Sequence, residues 1–195
     1  MPPRKHLDLQ QVVQTAITLA DEHGFEAVTL ASVADKLGIR IPSLYNYVSG
    51  LPGLRREMTL WGARHLTELG RRAAIGKAGD DAILSIATAY RAFAHAHPGI
   101  YPTTLRAAPL EDTELVAVAQ ELLDVLLAVM QPYGFDPDDT LHAIRALRSV
   151  LHGFVDLEIA GGFGLALDRD ESFRQLLQTL IEGLHSRRDK SVANA

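Results

Sequence analysis

Apolar residues recur along this chain at three- and four-residue steps, in blocks broken by glycine and proline. Nowhere do they alternate as a half-buried strand would, so an all-α fold is expected. Asp8 can cap a first helix whose stripe is Leu9, Val12, Val13, Ala16, Ile17, Leu19 and Ala20, with Gly24 as the stop. Thr29 can cap a short second helix over 30–37, closed by Gly38. Pro42 suits the first turn of a third, over 41–48. The breaker run 49–53 then separates a head, residues 1–50, from a body, residues 51–195.

In the body the pattern predicts a long helix over 51–74, a joint at 75–79 and a helix from Asp80 or Asp81 to the Pro98-Gly99 break. A short irregular helix over 101–106 and an apolar helix from Asp112 to the Tyr133-Gly134 stop follow. Asp136-Pro137-Asp138-Asp139 joins a cap, a first-turn proline and first-turn acids at the start of a helix over 137–160. Glycines 161, 162 and 164 interrupt it. Asp168 or Asp170 caps a last helix over 171–185, and the polar tail from Ser186 is expected to fray. The total is about nine helices.

A short helix, a glycine turn and a second short helix form the unit that seats a recognition helix in the major groove of DNA. Between residues 29 and 48, Ala34 is small where the helices must approach, and Val33, Ile39 and Leu44 can fill the mini-core. Ser43, Asn46 and Tyr47 give the second helix hydrogen-bonding groups for phosphates and base edges. Tyr45 and Tyr47 lie two apart and cannot share a helix face, and Tyr45 is expected to be the partly buried one.

Charge neither excludes nor demands a nucleic-acid partner. The net charge is −5, but residues 1–56 hold six Lys/Arg against five acids, and the excess of acids lies in the remainder. Cysteine is absent, which removes disulfides and thiol chemistry. The opening Met1-Pro2-Pro3-Arg4-Lys5-His6 has no apolar segment behind its charges, and no apolar run approaches a membrane span, so a cytoplasmic protein without membrane contact is expected. No metal is expected: His95 and His97 fall on different faces of a helix end, and Asp168-Arg169-Asp170-Glu171 lacks the length and glycine of a calcium loop. No nucleophile elbow or dinucleotide loop is present, so no enzyme and no cofactor are expected.

Gly24-Phe25, Thr29, Val33-Ala34, Leu37-Gly38-Ile39, Pro42-Ser43-Leu44-Tyr45 and Tyr47 together resemble the tetracycline-repressor-like (TetR) family. The stretch Leu147 to Phe154, with Glu158, Gly161-Gly162-Phe163-Gly164 and Asp168, looks like one C-terminal subgroup of it. The resemblance implies a three-helix DNA-binding head on a helical effector-binding and dimerising body, most often a repressor. The two heads of a homodimer would lie about 34–36 Å apart on operator DNA. Carried over by position, Thr29, Ser43 and Tyr47 contact phosphates, Arg40, Ile41, Pro42 and Asn46 face bases or sugars, and Tyr45 reaches the backbone. Arg4 and Lys5 form a basic arm. Many relatives carry a phosphate-binding lysine at the start of helix four; this chain has none, and Arg55 or Arg56 is the candidate substitute.

For a largely apolar small-molecule effector of unknown identity, the candidate wall is Trp61, Tyr90, Phe93, Tyr101, Leu105, Leu122, Leu126 and Met130, with His152 as a tentative addition. Each could equally be plain core. The apolar arc Ile144, Leu147, Leu151 and Phe154, with Leu177, Leu180, Ile181 and Leu184, is the candidate dimer interface. The polar stripe His142, Arg145, Ser149, His152 and Asp156 is open between a solvated or interfacial face and a pocket edge. The competing function is a helical small-molecule-binding protein or enzyme with a vestigial head.

Overall fold

Local hydrogen bonds place most helix ends. A computed structural model of the chain describes residues 7–193, with side chains to residue 189. Among the described residues there are eight α-helices and three short 3-10 turns, and no strand. They are α1 (Leu9–His23), α2 (Leu30–Leu37), α3 (Ile41–Leu44), α4 (Gly50–Ala74), α5 (Gly79–Ala96), α6 (Thr113–Met130), α7 (Pro137–Ile159) and α8 (Arg169–Ala193).

Asp8 Oδ1 accepts from the Gln11 N–H at 2.8 Å, and Thr29 Oγ1 accepts from the Ser32 N–H at 3.1 Å, capping α1 and α2. Asp136 accepts from the Asp139 N–H at 2.8 Å with Pro137 in the first turn of α7. Gly38 takes the left-handed conformation, φ 67°, that the tight turn between α2 and α3 needs.

Three predicted boundaries move, on two helices. The third helix ends at Leu44 rather than Val48, and the chain continues as turns through residue 49. The last helix starts two residues early, where the Asp168 carboxylate accepts from the Asp170 N–H at 2.9 Å. It does not fray at Ser186: Arg187 binds Asp139 at 2.5 Å and the helix runs on to Ala193.

The chain divides into two compact units, 1–65 with 94–116, and 66–93 with 117–195. In the first, Val12, Ala16, Ile17, Ala20, Val33, Leu44, Leu54 and Met58 form the core beneath the helix-turn-helix. In the second, Ile83, Ala87, Phe93, Met130, Leu147, Val155, Phe173 and Leu177 are buried. Arg91 there donates to the buried Glu158 carboxylate at 2.6 and 2.8 Å, binds Asp170 at 2.8 Å, and lies 4.9 Å from the Phe173 ring centre. The Glu158 hydrogen bonds raise the Arg91 pKa further, against the opposing effect of burial.

Candidate nucleic-acid interface

The recognition segment is held by its apolar side. Leu44 is fully buried and Val48, one turn on, nearly so. The Val48 N–H donates to the Leu44 carbonyl at 3.0 Å. Tyr47 shares that side and is half-buried, while Tyr45, one residue past Leu44, is 61% exposed. The expected order of the two tyrosines is therefore reversed: Leu44 anchors the segment and turns its immediate successor outward.

Arg40, Ile41, Pro42, Tyr45 and Asn46 are exposed together, and Ser43 is half-buried. Thr29 is exposed at the start of α2, where its oxygen caps the helix. The structure thus brings the candidate base- and phosphate-facing residues onto one short segment and the adjoining helix start. Arg4 and Lys5 lie outside the described residues.

Neither arginine of early α4 is spare. Arg55 donates to the Glu26 carbonyl at 3.1 Å, pairs with its carboxylate at 2.9 Å, and lies 5.6 Å from the Phe25 ring centre. Arg56 grips Asp112 with two hydrogen bonds, at 2.5 and 2.7 Å, and also binds Glu57 and Glu114 at 2.9 Å. The Arg56 hydrogen bonds hold the Asp112 carboxyl below the usual range. Both side chains have partners within the protein, Arg56 the more of them.

A second feature of this unit was not legible in the sequence. The turn after α5 packs on the C-terminal end of α1: His97 Nδ1 lies 2.8 Å from Asp21 Oδ2, and the Gly99 N–H donates to Asp21 Oδ1 at 3.0 Å. A Cβ on Gly99 would sit 2.0 Å from the Ala20 carbonyl oxygen. On Gly62 of α4 it would sit 2.6 Å from the Ile100 side chain. His97 therefore serves a contact with Asp21. Among the described residues no group of three His, Asp or Glu side chains converges as metal ligands do.

Trp61 is half-buried in the same unit, stacked on His65 at 4.7 Å and edge-on to His97 at 5.0 Å. The candidate effector wall is divided. Trp61, Tyr101 and Leu105 belong to the first unit; Tyr90, Phe93, Leu122, Leu126, Met130 and His152 belong to the second. Tyr90, Phe93, Tyr101 and Met130 are buried, while Leu105, Leu122, Leu126 and His152 are half-exposed.

A cleft of about 340 Å³ is lined by Ala78, Gly79, Asp80, Asp81, Pro132, Tyr133, His185 and Arg188, none of them on that list. Burial alone would raise the Asp80 carboxyl, but hydrogen bonds from Tyr133 at 2.5 Å and His185 at 2.9 Å hold it below its ordinary value.

The candidate dimer residues mostly face inward. Ile144, Leu147, Leu151, Phe154, Leu177, Ile181 and Leu184 are buried within the single chain, and Leu180 is half-exposed. The inner arcs of α7 and α8 are consumed by their own unit. What remains uncovered is Ala146, Val150, Gly153 and Leu157 on α7, and Leu176, Leu180 and Gly183 on α8. On the polar stripe, His142, Arg145, Ser149 and Asp156 are exposed and His152 is half-exposed, as on an outer face.

A three-helix unit in which a tight glycine turn joins α2 to α3, with Leu44 buried and Arg40, Ile41, Pro42, Tyr45 and Asn46 exposed, defines a helix-turn-helix DNA-binding protein. Comparison with known proteins gives the family. The tetracycline-repressor-like C-terminal domain matches residues 83–180. The chain is 35% identical to the uncharacterised HTH-type transcriptional regulator Rv0681 of Mycobacterium tuberculosis, over 93% of this chain and 83% of that protein. It is 34% identical to another, YobS of Bacillus subtilis, over 94% of this chain and 96% of that one.

Among solved structures, a Rhodococcus protein of unknown function superposes with a TM-score of 0.80 at 21% identity, covering 95% of this chain and all of that one. A possible TetR family regulator from Streptomyces coelicolor gives 0.69 at 18% identity, over 92% and 99% of the two chains. This chain belongs to the TetR family of helix-turn-helix transcription regulators. That family consists of regulators rather than enzymes, so the reading of an enzyme with a vestigial head is set aside.

Proposed function

We propose that this protein is a homodimeric cytoplasmic repressor that leaves its operator when a small, largely apolar effector binds. The observation that carries the DNA-binding part is the recognition segment: a buried Leu44 and Val48 beneath exposed Arg40, Ile41, Pro42, Tyr45 and Asn46. TetR regulators bind operator DNA and dimerise, and among the described residues no helix is long and apolar enough to cross a membrane. We assign dimer contact to the uncovered outer stripes of α7 and α8 in place of their buried arcs. Effector binding falls to the second unit along α6, where Leu122 and Leu126 remain half-exposed. Trp61 acts as an anchor, since its ring is occupied by His65 and His97. An effector can release DNA only by binding the two states unequally. One unbroken helix, α4, has residues in both units and is the element to transmit that difference.

The test is selection of bound duplexes from genomic fragments, followed by titration of variants. Tyr47→Ala should weaken operator and random DNA alike. Asn46→Ala should cost about 1–3 kcal/mol on operator and relax sequence preference. Unchanged operator affinity in Tyr47→Ala refutes the docking.

A further inference from the structure

The connection between α7 and α8 is a built loop that holds leucines in water. Ala160 ends α7, and Gly161 takes φ 71°. The Gly162 N–H donates to the Leu157 carbonyl at 2.7 Å, the six-to-one bond of a Schellman ending. The Phe163 ring then packs on Phe154 with centres 4.8 Å apart. At the far end Asp168 caps α8, and Asp170 is tied to Arg91 at 2.8 Å. Between these anchors the Leu167 N–H donates to the Leu165 carbonyl at 2.8 Å. Leu165 is nonetheless 80% exposed and Leu167 71%, beside Leu157 at 52%.

We infer that residues 157–167 form a docking arm that seats Leu165 and Leu167 on a second copy of this chain. The inference rests on the dimer proposed above. Three observations choose a second copy as occupant. Leu157 belongs both to the arm and to the uncovered stripe of α7, so the apolar surface is continuous from helix to loop. Gly153 and Gly183 sit inside helices, where glycine is about 1 kcal/mol worse than alanine. An added Cβ would meet nothing within 4 Å at either position, so nothing in the protomer calls for glycine there, whereas close approach of another backbone does.

The third observation is area. Four of the seven stripe residues are glycine, alanine or valine, and a stable interface covers about 800 Å² on each partner. Beyond Leu157, the arm residues Ile159, Phe163, Leu165 and Leu167 add on the order of 400 Å² of apolar surface, about half of that requirement. In an isologous dimer each arm contacts the other copy, so the contribution is made twice.

The chain has no cysteine, which permits a clean test on the full-length protein. Leu165→Cys, with Glu121→Cys on exposed α6 as control, is titrated from nanomolar to about 50 µM while sedimentation reports assembly. The Leu165→Cys thiol should lose alkylation rate at least about fivefold as the dimer forms, and the control should not change. The double variant Leu165→Asp/Leu167→Asp should weaken dimerisation at least about tenfold, since each aspartate would be buried without a partner. Both positions are solvent-exposed in the protomer, so its circular dichroism should be unchanged.

A dimer in which Leu165→Cys reacts at the same rate at all concentrations, and which the double variant leaves equally tight, overturns the arm while sparing the helix-pair dimer. A wild-type chain still monomeric at about 50 µM overturns the proposed dimer and the arm with it.

Discussion

Gly99→Ala tests how the turn after α5 is seated on α1. The added carbon would lie 2.0 Å from the Ala20 carbonyl oxygen, 2.2 Å from its carbon and 2.6 Å from the Asp21 nitrogen. All three are backbone atoms that no rotamer change can move. Ordinary contact begins near 3.5 Å, so the turn must lift by more than about 1 Å. Overpacking alone costs about 1–3 kcal/mol. Lifting also stretches the Gly99 and His97 bonds to Asp21, now 3.0 and 2.8 Å, and a hydrogen bond to a charged group contributes about 1.5–3 kcal/mol. Alanine's smaller unfolded-state entropy returns only about 0.4–1 kcal/mol. The expected net loss is about 3 kcal/mol or more. Urea unfolding followed by Trp61 fluorescence reads the site directly, since that ring touches His97. A Gly99→Ala midpoint within about 0.5 kcal/mol of wild type would refute the packing argument.

Arg91→Ala would remove both hydrogen bonds that Arg91 donates to Glu158, whose side chain is 4% exposed, and should destabilise the second unit by up to about 3–5 kcal/mol in thermal unfolding. A loss below about 1 kcal/mol would mean that Glu158 is not held by Arg91. Acid should act on α4 and α8: hydrogen bonds from Arg71 and Arg72 hold the Glu68 carboxyl down to about 2, and those from Arg174 and Gln175 do the same for Glu171. Because both carboxyls are depressed in the folded state, their contribution is complete above their ordinary value of 4.5 and is lost as pH falls toward 2. Glu68→Gln and Glu171→Gln should therefore lower helicity at pH 5 but not at pH 1.5. Circular dichroism in which the variants match wild type at pH 5 would count against this.

Local chemistry determined much of this protein. Asp8, Thr29, Gly38, Asp136-Pro137 and Asp168 mark helix ends because a cap or a turn is decided within about four residues. The helix-turn-helix was legible for the same reason: its glycine turn, its small Ala34 and its Leu44 anchor lie within 20 residues. Only the tertiary structure decided matters that join distant positions. Arg56 meets Asp112 across 56 residues and Arg91 meets Glu158 across 67, and no periodicity encodes such a pair. The same limit hid the seat of Gly99 on Ala20, which committed the turn after α5 to the unit of the head. It also hid which arc of α7 and α8 faces inward. Each helix carries apolar residues around more than one contact, and only packing shows that Leu147, Leu151 and Leu177 are taken by their own unit while Leu157 and Leu180 are left over.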